Sequence, residues 1–286
     1  MSPFQPKHVL CPIDFSEHSA AALRVAGGVA RAFGAKVIVL HAQRLEVPAY
    51  FTAAQTKALR AQLRRSARAA RNFVRGFAMP HLPEEVEHSV VLLEEDPVAA
   101  ILRVLKDLRA GLIVMGTHGR TGLARIRLGS VMESVLRQVT VPVLTVGPHI
   151  TPTASLAVIR RVLCPVNYSD LAQEALADAT AVAEKAQAEL AVIHVVENAA
   201  GPDEREPHLQ LCDWISADVR SRCTVKEVLR QGSAAEQIVA EAKASRADLV
   251  VVGAHPRSFL GTILFGSTTE LVIRKAPCPV LSVIRK

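Results

Sequence analysis

The chain has 286 residues, half of them apolar and 21% charged, with a formal net charge of +7. This composition specifies a globular protein of one or two domains with a sizeable core and excludes disorder; no apolar run approaches the roughly 18 residues of a membrane span. The start, MSPFQPKHVLCPIDF, lacks signal-peptide order, and Cys11, Cys164, Cys212, Cys223 and Cys278 form no CxxC and no Cys/His spacing for zinc, so a reduced cytoplasmic protein with no metal and no membrane association is expected, its cysteines acting as small buried hydrophobes.

In chain order, residues 8–13, 36–42, 86–93, 112–116 and 142–146 are short runs rich in Val, Ile and Leu, as strands are. They alternate with helical patterns over 16–33, 52–77, 96–109 and 130–138. Ser16 with Ser19, and Asp96 with Pro97, supply helix starts. Strands that are apolar on both faces and alternate with helices predict a parallel sheet covered by helices. In the second helix, Arg60, Arg64, Arg68, Arg71 and Arg75 step by four, four, three and four, placing them on one face with Leu59, Leu63, Ala67, Ala70 and Val74 on another. This helix carries much of the basic excess: residues 1–150 hold 19 Lys+Arg against 11 Asp+Glu (19 − 11 = +8), the remainder 15 against 16 (15 − 16 = −1). No aromatic or recognition motif accompanies the arginines, so the stripe is a solvated helix face and nucleic acid is not the expected partner.

The same order then returns, with strands near 160–166, 189–196, 223–230, 248–253 and 279–284. VLCPIDFSEHSAAAL from residue 9 aligns with VLCPVNYSDLAQEAL from residue 162 at an offset of 153 (162 − 9). LIVMGTHGRTGLARIRLGSVMESVLRQVTVPVLTV from 112 aligns with LVVVGAHPRSFLGTILFGSTTELVIRKAPCPVLSV from 249 at an offset of 137 (249 − 112). The second copy is thus shorter in its middle by 16 residues (153 − 137), where the basic helix has no full counterpart. Two domain-sized units are expected, 1–148 and 158–286, joined by a linker over 149–157.

Within the first unit, GTHGRTGLARIRLGS (116–130) follows the fourth strand directly. In an open parallel sheet, ligands bind outside the carboxyl ends of the strands. Gly116, Gly119 and Gly129 allow close backbone approach or a positive φ. Gly129-Ser130 opens a helix whose free N–H groups favour an anion, and Arg120, Arg125 and Arg127 add positive charge. These features together point to phosphate. Ser130 suits an anion-binding cap rather than a nucleophile, since no nucleophile elbow G-x-S-x-G is present. No P-loop G-x4-G-K-[ST] occurs, so efficient hydrolysis is not expected. His41 and His194 close the second strands and are expected to be packed structural histidines.

The spacing Gly116-x2-Gly119-x9-Gly129-Ser130 resembles the nucleotide-binding signature of the universal stress protein family. Both units also carry that family's first-strand signature (CPIDFS, CPVNYS), second-strand ending (LHA, IHV) and last strand (VPVLTV, CPVLSV), so the resemblance covers almost the whole chain and marks a tandem member. It implies a Rossmann-like α/β fold, each unit an open five-stranded parallel sheet ordered 3-2-1-4-5, and a stress-response regulatory role with ATP as the bound nucleotide and Mg2+ as its candidate companion. It implies that Pro12 and Asp14 border the adenosine and that Ala42 contacts adenine through its backbone. Met115, Gly116, His118 and Gly119 would line base, ribose and phosphates, and Gly129, Ser130 and Val131 would hold the phosphates. Asp14 also suits the start of the first helix. Family members that bind ATP often carry Thr or another small residue after this valine, where this chain has Met132.

In the second unit the motif reads Gly253-Ala254-His255-Pro256, then Gly266-Ser267, with Pro256 standing where Gly119 stands, Asn167 in place of Asp14, and Arg257 alone representing the three arginines. Asn167, Val195, Gly253, Gly266, Ser267 and Thr268 are therefore candidates only for a weak second site. Single-unit relatives pair their last strands between subunits; a tandem chain can do so internally as a pseudo-dimer, with a homodimer as the further option. A non-nucleotide assembly module and a slow ATP-hydrolysing enzyme are the competing function classes, and the protein partner is left open.

Overall fold

The computed structural model describes residues 4–44, 50–117, 128–147, 159–197, 206–254, 256–259 and 262–284. The first half runs β1 (His8–Pro12), α1 (Glu17–Phe33), β2 (Lys36–Ala42), α2 (Ala53–Ala78), β3 (His88–Leu93), α3 (Pro97–Asp107), β4 (Leu112–Gly116), α4 (Ser130–Gln138) and β5 (Val143–Val146). The second runs β6 (Arg161–Val166), α5 (Asp170–Ala186), β7 (Glu189–Val196), α6 (Pro207–Trp214), α7 (Ala217–Arg222), β8 (Val225–Gln231), α8 (Ala234–Ala244), β9 (Leu249–Gly253), β10 (Pro256–Phe259), β11 (Thr262–Phe265), α9 (Ser267–Lys275) and β12 (Val280–Val283).

The helix starts are those their caps dictate. The Ser16 hydroxyl accepts the Ser19 amide at 3.2 Å, and the Asp96 carboxylate accepts Val98 and Ala99 amides at 2.9 and 3.1 Å just ahead of Pro97. Thr52 and Gln55 form a capping box at the head of α2. Helix α1 stops at Gly34, whose φ of 66° is left-handed and suits a residue without Cβ.

Ten strands form one sheet in the order β3-β2-β1-β4-β5-β12-β9-β6-β7-β8. Each half therefore has the 3-2-1-4-5 order, parallel throughout. The single antiparallel junction is β5 with β12, where Val280 faces Thr145, Leu281 faces Leu144 and Ser282 faces Val143. Leu144 and Leu281 are equivalent at the 137-residue offset, so a local twofold passes between two copies of the same leucine. Both faces of the sheet are covered. Side chains from α1, α2 and α5 close one side, including Leu23, Val74 and Leu176; those from α3, α4, α8 and α9 close the other, including Ile101, Leu136, Ile238 and Val272. Cys11, Cys164 and Cys278 are buried in these layers. Burial pushes the first two thiols far above their ordinary pKa and Cys278 up to about 12, so all three behave as apolar fillers.

Two elements depart from the sequence expectation. The apolar face expected along α2 is only partly buried: Ala67 and Ala70 are exposed beside Arg68, Arg71 and Arg75, Leu59 is half-buried, and among the described side chains of the helix Val74 and Ala78 are the buried ones. The helix outruns the sheet, and only its last turns have strands to cover. In the second half, the degenerate glycine loop is replaced by an antiparallel hairpin, β10 with β11, pairing Pro256 with Phe265 and Phe259 with Thr262. β-branched and aromatic residues with few loop glycines favour strand here, and β11 reaches helix α4 of the first half.

The junction yields a stability test. The Thr145 hydroxyl donates to the Val280 carbonyl at 3.1 Å, while its equivalent, the buried Ser282 hydroxyl, has no hydrogen-bond partner. Thr145→Val should cost about 1 kcal/mol, whereas Ser282→Ala should be neutral or stabilising because it removes an unpaired buried group. Urea unfolding measures both; an equal loss from Ser282→Ala would contradict the register.

Candidate functional site

At the carboxyl ends of β1, β2 and β4 lies a cavity of about 270 Å³. It is bounded by Pro12 at the end of β1 and Asp14 just beyond it, by Ala42 at the end of β2, and by Met115 and Gly116 at the end of β4. Its remaining wall is the head of α4: Gly129, Ser130 and Val131. Eight of the ten residues carried over by the family resemblance thus border one space; the other two, His118 and Gly119, lie outside the described residues, as do Arg120, Arg125 and Arg127.

The head of α4 is fixed by backbone. The Gly129 amide donates to the Thr117 carbonyl at 2.9 Å, and the Thr117 amide donates to Val146 at 3.0 Å, so strand end and helix start are tied together although twelve positions apart (129 − 117). Three helices begin at this rim. The starts of α1 and α3 are closed by the side chains of Ser16 and Asp96, whereas α4 follows a glycine and has no side-chain cap. Among the described residues its first-turn N–H groups therefore have no side-chain cap, and they carry the positive end of the helix dipole.

Asp14 has two duties. One of its oxygens accepts the Ser16 amide at 3.1 Å and the Ser16 hydroxyl at 2.6 Å, which shapes the turn into α1, and the residue also borders the cavity. Phe15, at φ 65°, turns away from it onto His41, with ring centroids 4.6 Å apart. His41 Nδ1 bonds the Ile13 carbonyl at 2.9 Å, and His194 Nδ1 bonds Val166 at 3.0 Å. Both histidines are structural clamps between β-strand ends, as expected.

One glycine reading needs correction, and a second glycine has a packing reason beside its place at the cavity. Gly129 has φ −62° and ψ 143°, an ordinary extended conformation, so no left-handed backbone is required there. Gly116 also answers to packing: a Cβ would sit 2.9 Å from the His18 Cβ and 3.2 Å from its backbone, so α1 by itself excludes a side chain at this cavity-lining position. The sequence also missed part of the wall. Ile101 from α3, Leu40 from β2 and the buried Met132 line the cavity, and Ser19 and Thr117 add hydroxyls. The apolar periodicity of these residues is that of core positions, which conceals a cavity wall in the sequence.

In the second half, Asn167 repeats the turn of Asp14, accepting Ser169 N and Oγ at 3.3 and 2.7 Å. Val195 lies in β7, Gly253 ends β9, and Gly266 precedes Ser267 and Thr268 at the uncapped head of α9. The neighbours differ. Leu171 replaces His18 against Gly253, with a Cβ clearance of 2.8 Å, and Thr269, the counterpart of Met132, donates to the Gly253 carbonyl at 3.3 Å. Where the first half has Thr117 the second has the fully buried Ala254.

A model of the Universal stress protein family matches residues 6–147 and again residues 159–283. A universal stress protein from Thermus aquaticus is 34% identical over 140 residues, covering 49% of this chain and 98% of the relative. One from Mycobacterium bovis is 29% identical over 203 residues, covering 66% of each chain. The crystal structure of a universal stress protein from Archaeoglobus fulgidus superposes with a TM-score of 0.74 at 23% identity, over 99% of this chain and 100% of that one, so the fold is shared end to end.

The packing at Gly116 gives a direct expectation. Gly116→Ala should destabilise the protein by about 1–3 kcal/mol through overpacking against His18, read as a lowered urea midpoint without any ligand present; an unchanged midpoint would return this glycine to a purely ligand-facing role.

Proposed function

We propose, from the premise that this chain belongs to the universal stress protein family, that its first half is an ATP-binding regulatory module and its second half a degenerate copy that completes the assembly. The observation that carries this reading is the uncapped head of α4 facing the cavity at the carboxyl ends of β1, β2 and β4. Backbone N–H groups at a helix start, free of a side-chain acceptor, suit phosphate. The apolar wall of Pro12, Leu40, Ala42, Ile101 and Met115 suits a purine base, and the Asp14 carboxylate suits ribose hydroxyls. Mg2+ would travel with the phosphates. Met132 narrows the space below Val131, so the phosphate subsite differs from that of relatives with a small residue there.

The regulatory reading follows from what the site lacks among the described residues: no general base stands on Ser130, and the chain has no P-loop lysine. A nucleotide held this way acts by binding one conformation better than another. The antiparallel pairing of β5 with β12 supports reading the chain as an internal pseudo-dimer, so such a change would be passed across a shared sheet. No described helix is long and apolar enough to cross a membrane, which fits a cytoplasmic regulator.

Calorimetry with ATP on the full chain should report one site. Ser130→Asp keeps a favourable acidic residue in the first turn of α4 but places a negative charge where phosphate would bind, so affinity should fall by about ten-fold or more, or 1.4 kcal/mol, with the unfolding midpoint retained. Phosphate release should be negligible on the timescale of binding. Unchanged affinity in Ser130→Asp would remove the phosphate from α4, and rapid turnover would make the protein an enzyme.

A further inference from the structure

We propose that His208, Cys212 and Glu227 form a divalent-metal site on the second half of the chain, suited to a borderline ion of the zinc class. Helix α6 opens at Pro207, so His208 and Cys212 stand one turn apart on the same helix face. The His208 Nδ1 and Cys212 Sγ atoms are 3.6 Å apart. Strand β8 brings the Glu227 carboxylate to the same point, and the three ligand atoms all lie within 4.8 Å of one another. A tetrahedral ion bonded at about 2.1 Å to an imidazole nitrogen and about 2.3 Å to a thiolate holds those atoms roughly 3.5 Å apart. The nitrogen–sulfur pair therefore already has the length of a tetrahedral edge.

The donor set selects the ion. One thiolate, one imidazole and one carboxylate match zinc, and its tetrahedral surrogate cobalt, whereas magnesium and calcium require oxygen donors. Three protein ligands leave a fourth position for water. His208 is exposed and Cys212 half-buried, so an ion has access. Cys212 is a free thiol.

The surroundings support the arrangement. Arg220 pairs with Glu227 Oε1 at 2.6 Å and donates to the Cys212 carbonyl at 2.9 Å, which fixes the carboxylate beside α6. A carboxylate held through one oxygen can still present the other to a metal, an outer-shell device common at such sites.

The experiment titrates the reduced full-length protein with Co2+ and follows its absorption. One equivalent should produce a sulfur-to-cobalt charge-transfer band with the visible bands of a tetrahedral ion, both displaced by Zn2+. Cys212→Ser should abolish the charge-transfer band while Cys223→Ser retains it. His208→Ala and Glu227→Gln should each weaken Co2+ binding by at least about ten-fold. Should Cys212→Ser fail to fold, the wild-type protein gives the same answer: Zn2+ should protect Cys212 from alkylation, located by peptide mass spectrometry. Absence of the band, its survival in folded Cys212→Ser, or alkylation of Cys212 unaffected by Zn2+ would each overturn the site. None of these readouts involves a nucleotide or the first half of the chain.

Discussion

Parallel strands buried on both faces leave polar chemistry only at their ends. In this chain α1, α2 and α5 seal one face of the sheet and α3, α4, α8 and α9 the other, with Val9, Leu10, Ile113 and Val114 inaccessible to solvent. The strands' carboxyl ends are then the place where backbone donors, a carboxylate and a cavity can coexist. The hydrogen bond from Gly129 to Thr117 turns this general constraint into a specific geometry. It brings an uncapped helix start back to the strand end from which the chain departed.

Duplication retained the framework and released the site. The turn residues Phe15 and Tyr168 both take positive φ, His41 and His194 make the same backbone bond, and Gly116 and Gly253 are both closed by the first helix of their own half. Those positions hold the fold together in each copy. Asp14 and Asn167, Thr117 and Ala254, and Met132 and Thr269 differ, and the first of each pair lines the first-half cavity. At the junction, Leu144 meets Leu281, its own equivalent, so one copy supplies the other's missing edge and covers a strand that would otherwise be open to aggregation.

Much of this was legible in the sequence. Caps at Ser16 and Asp96 located helix starts, and apolar runs located the strands, because both signals are local. The cavity residues at strand ends followed from the glycine motif and the family resemblance. Other features depend on tertiary neighbours. Gly116 is small because His18 lies above it, which no spacing discloses. Ala67 and Ala70 are exposed because α2 is longer than the sheet it covers, so its apolar periodicity has nothing to pack on. Ile101 and Met132 have the pattern of core residues while lining a cavity. His208 and Cys212 lie on one helix turn, but Glu227 joins them only when β8 folds back, so a search for ligand spacing along the chain passed over them.

Amide hydrogen exchange on the full chain, with and without ATP, tests the asymmetry between the halves most directly, because it locates binding without altering a residue. If the nucleotide sits on the uncapped start of α4, the amides from Gly129 to Met132 should exchange at least about ten-fold more slowly with saturating ATP, while those from Gly266 to Thr269 at the start of α9 should be unchanged. Protection at α9 instead of α4, equal protection of both, or none at either would contradict the assignment of the nucleotide to the first half.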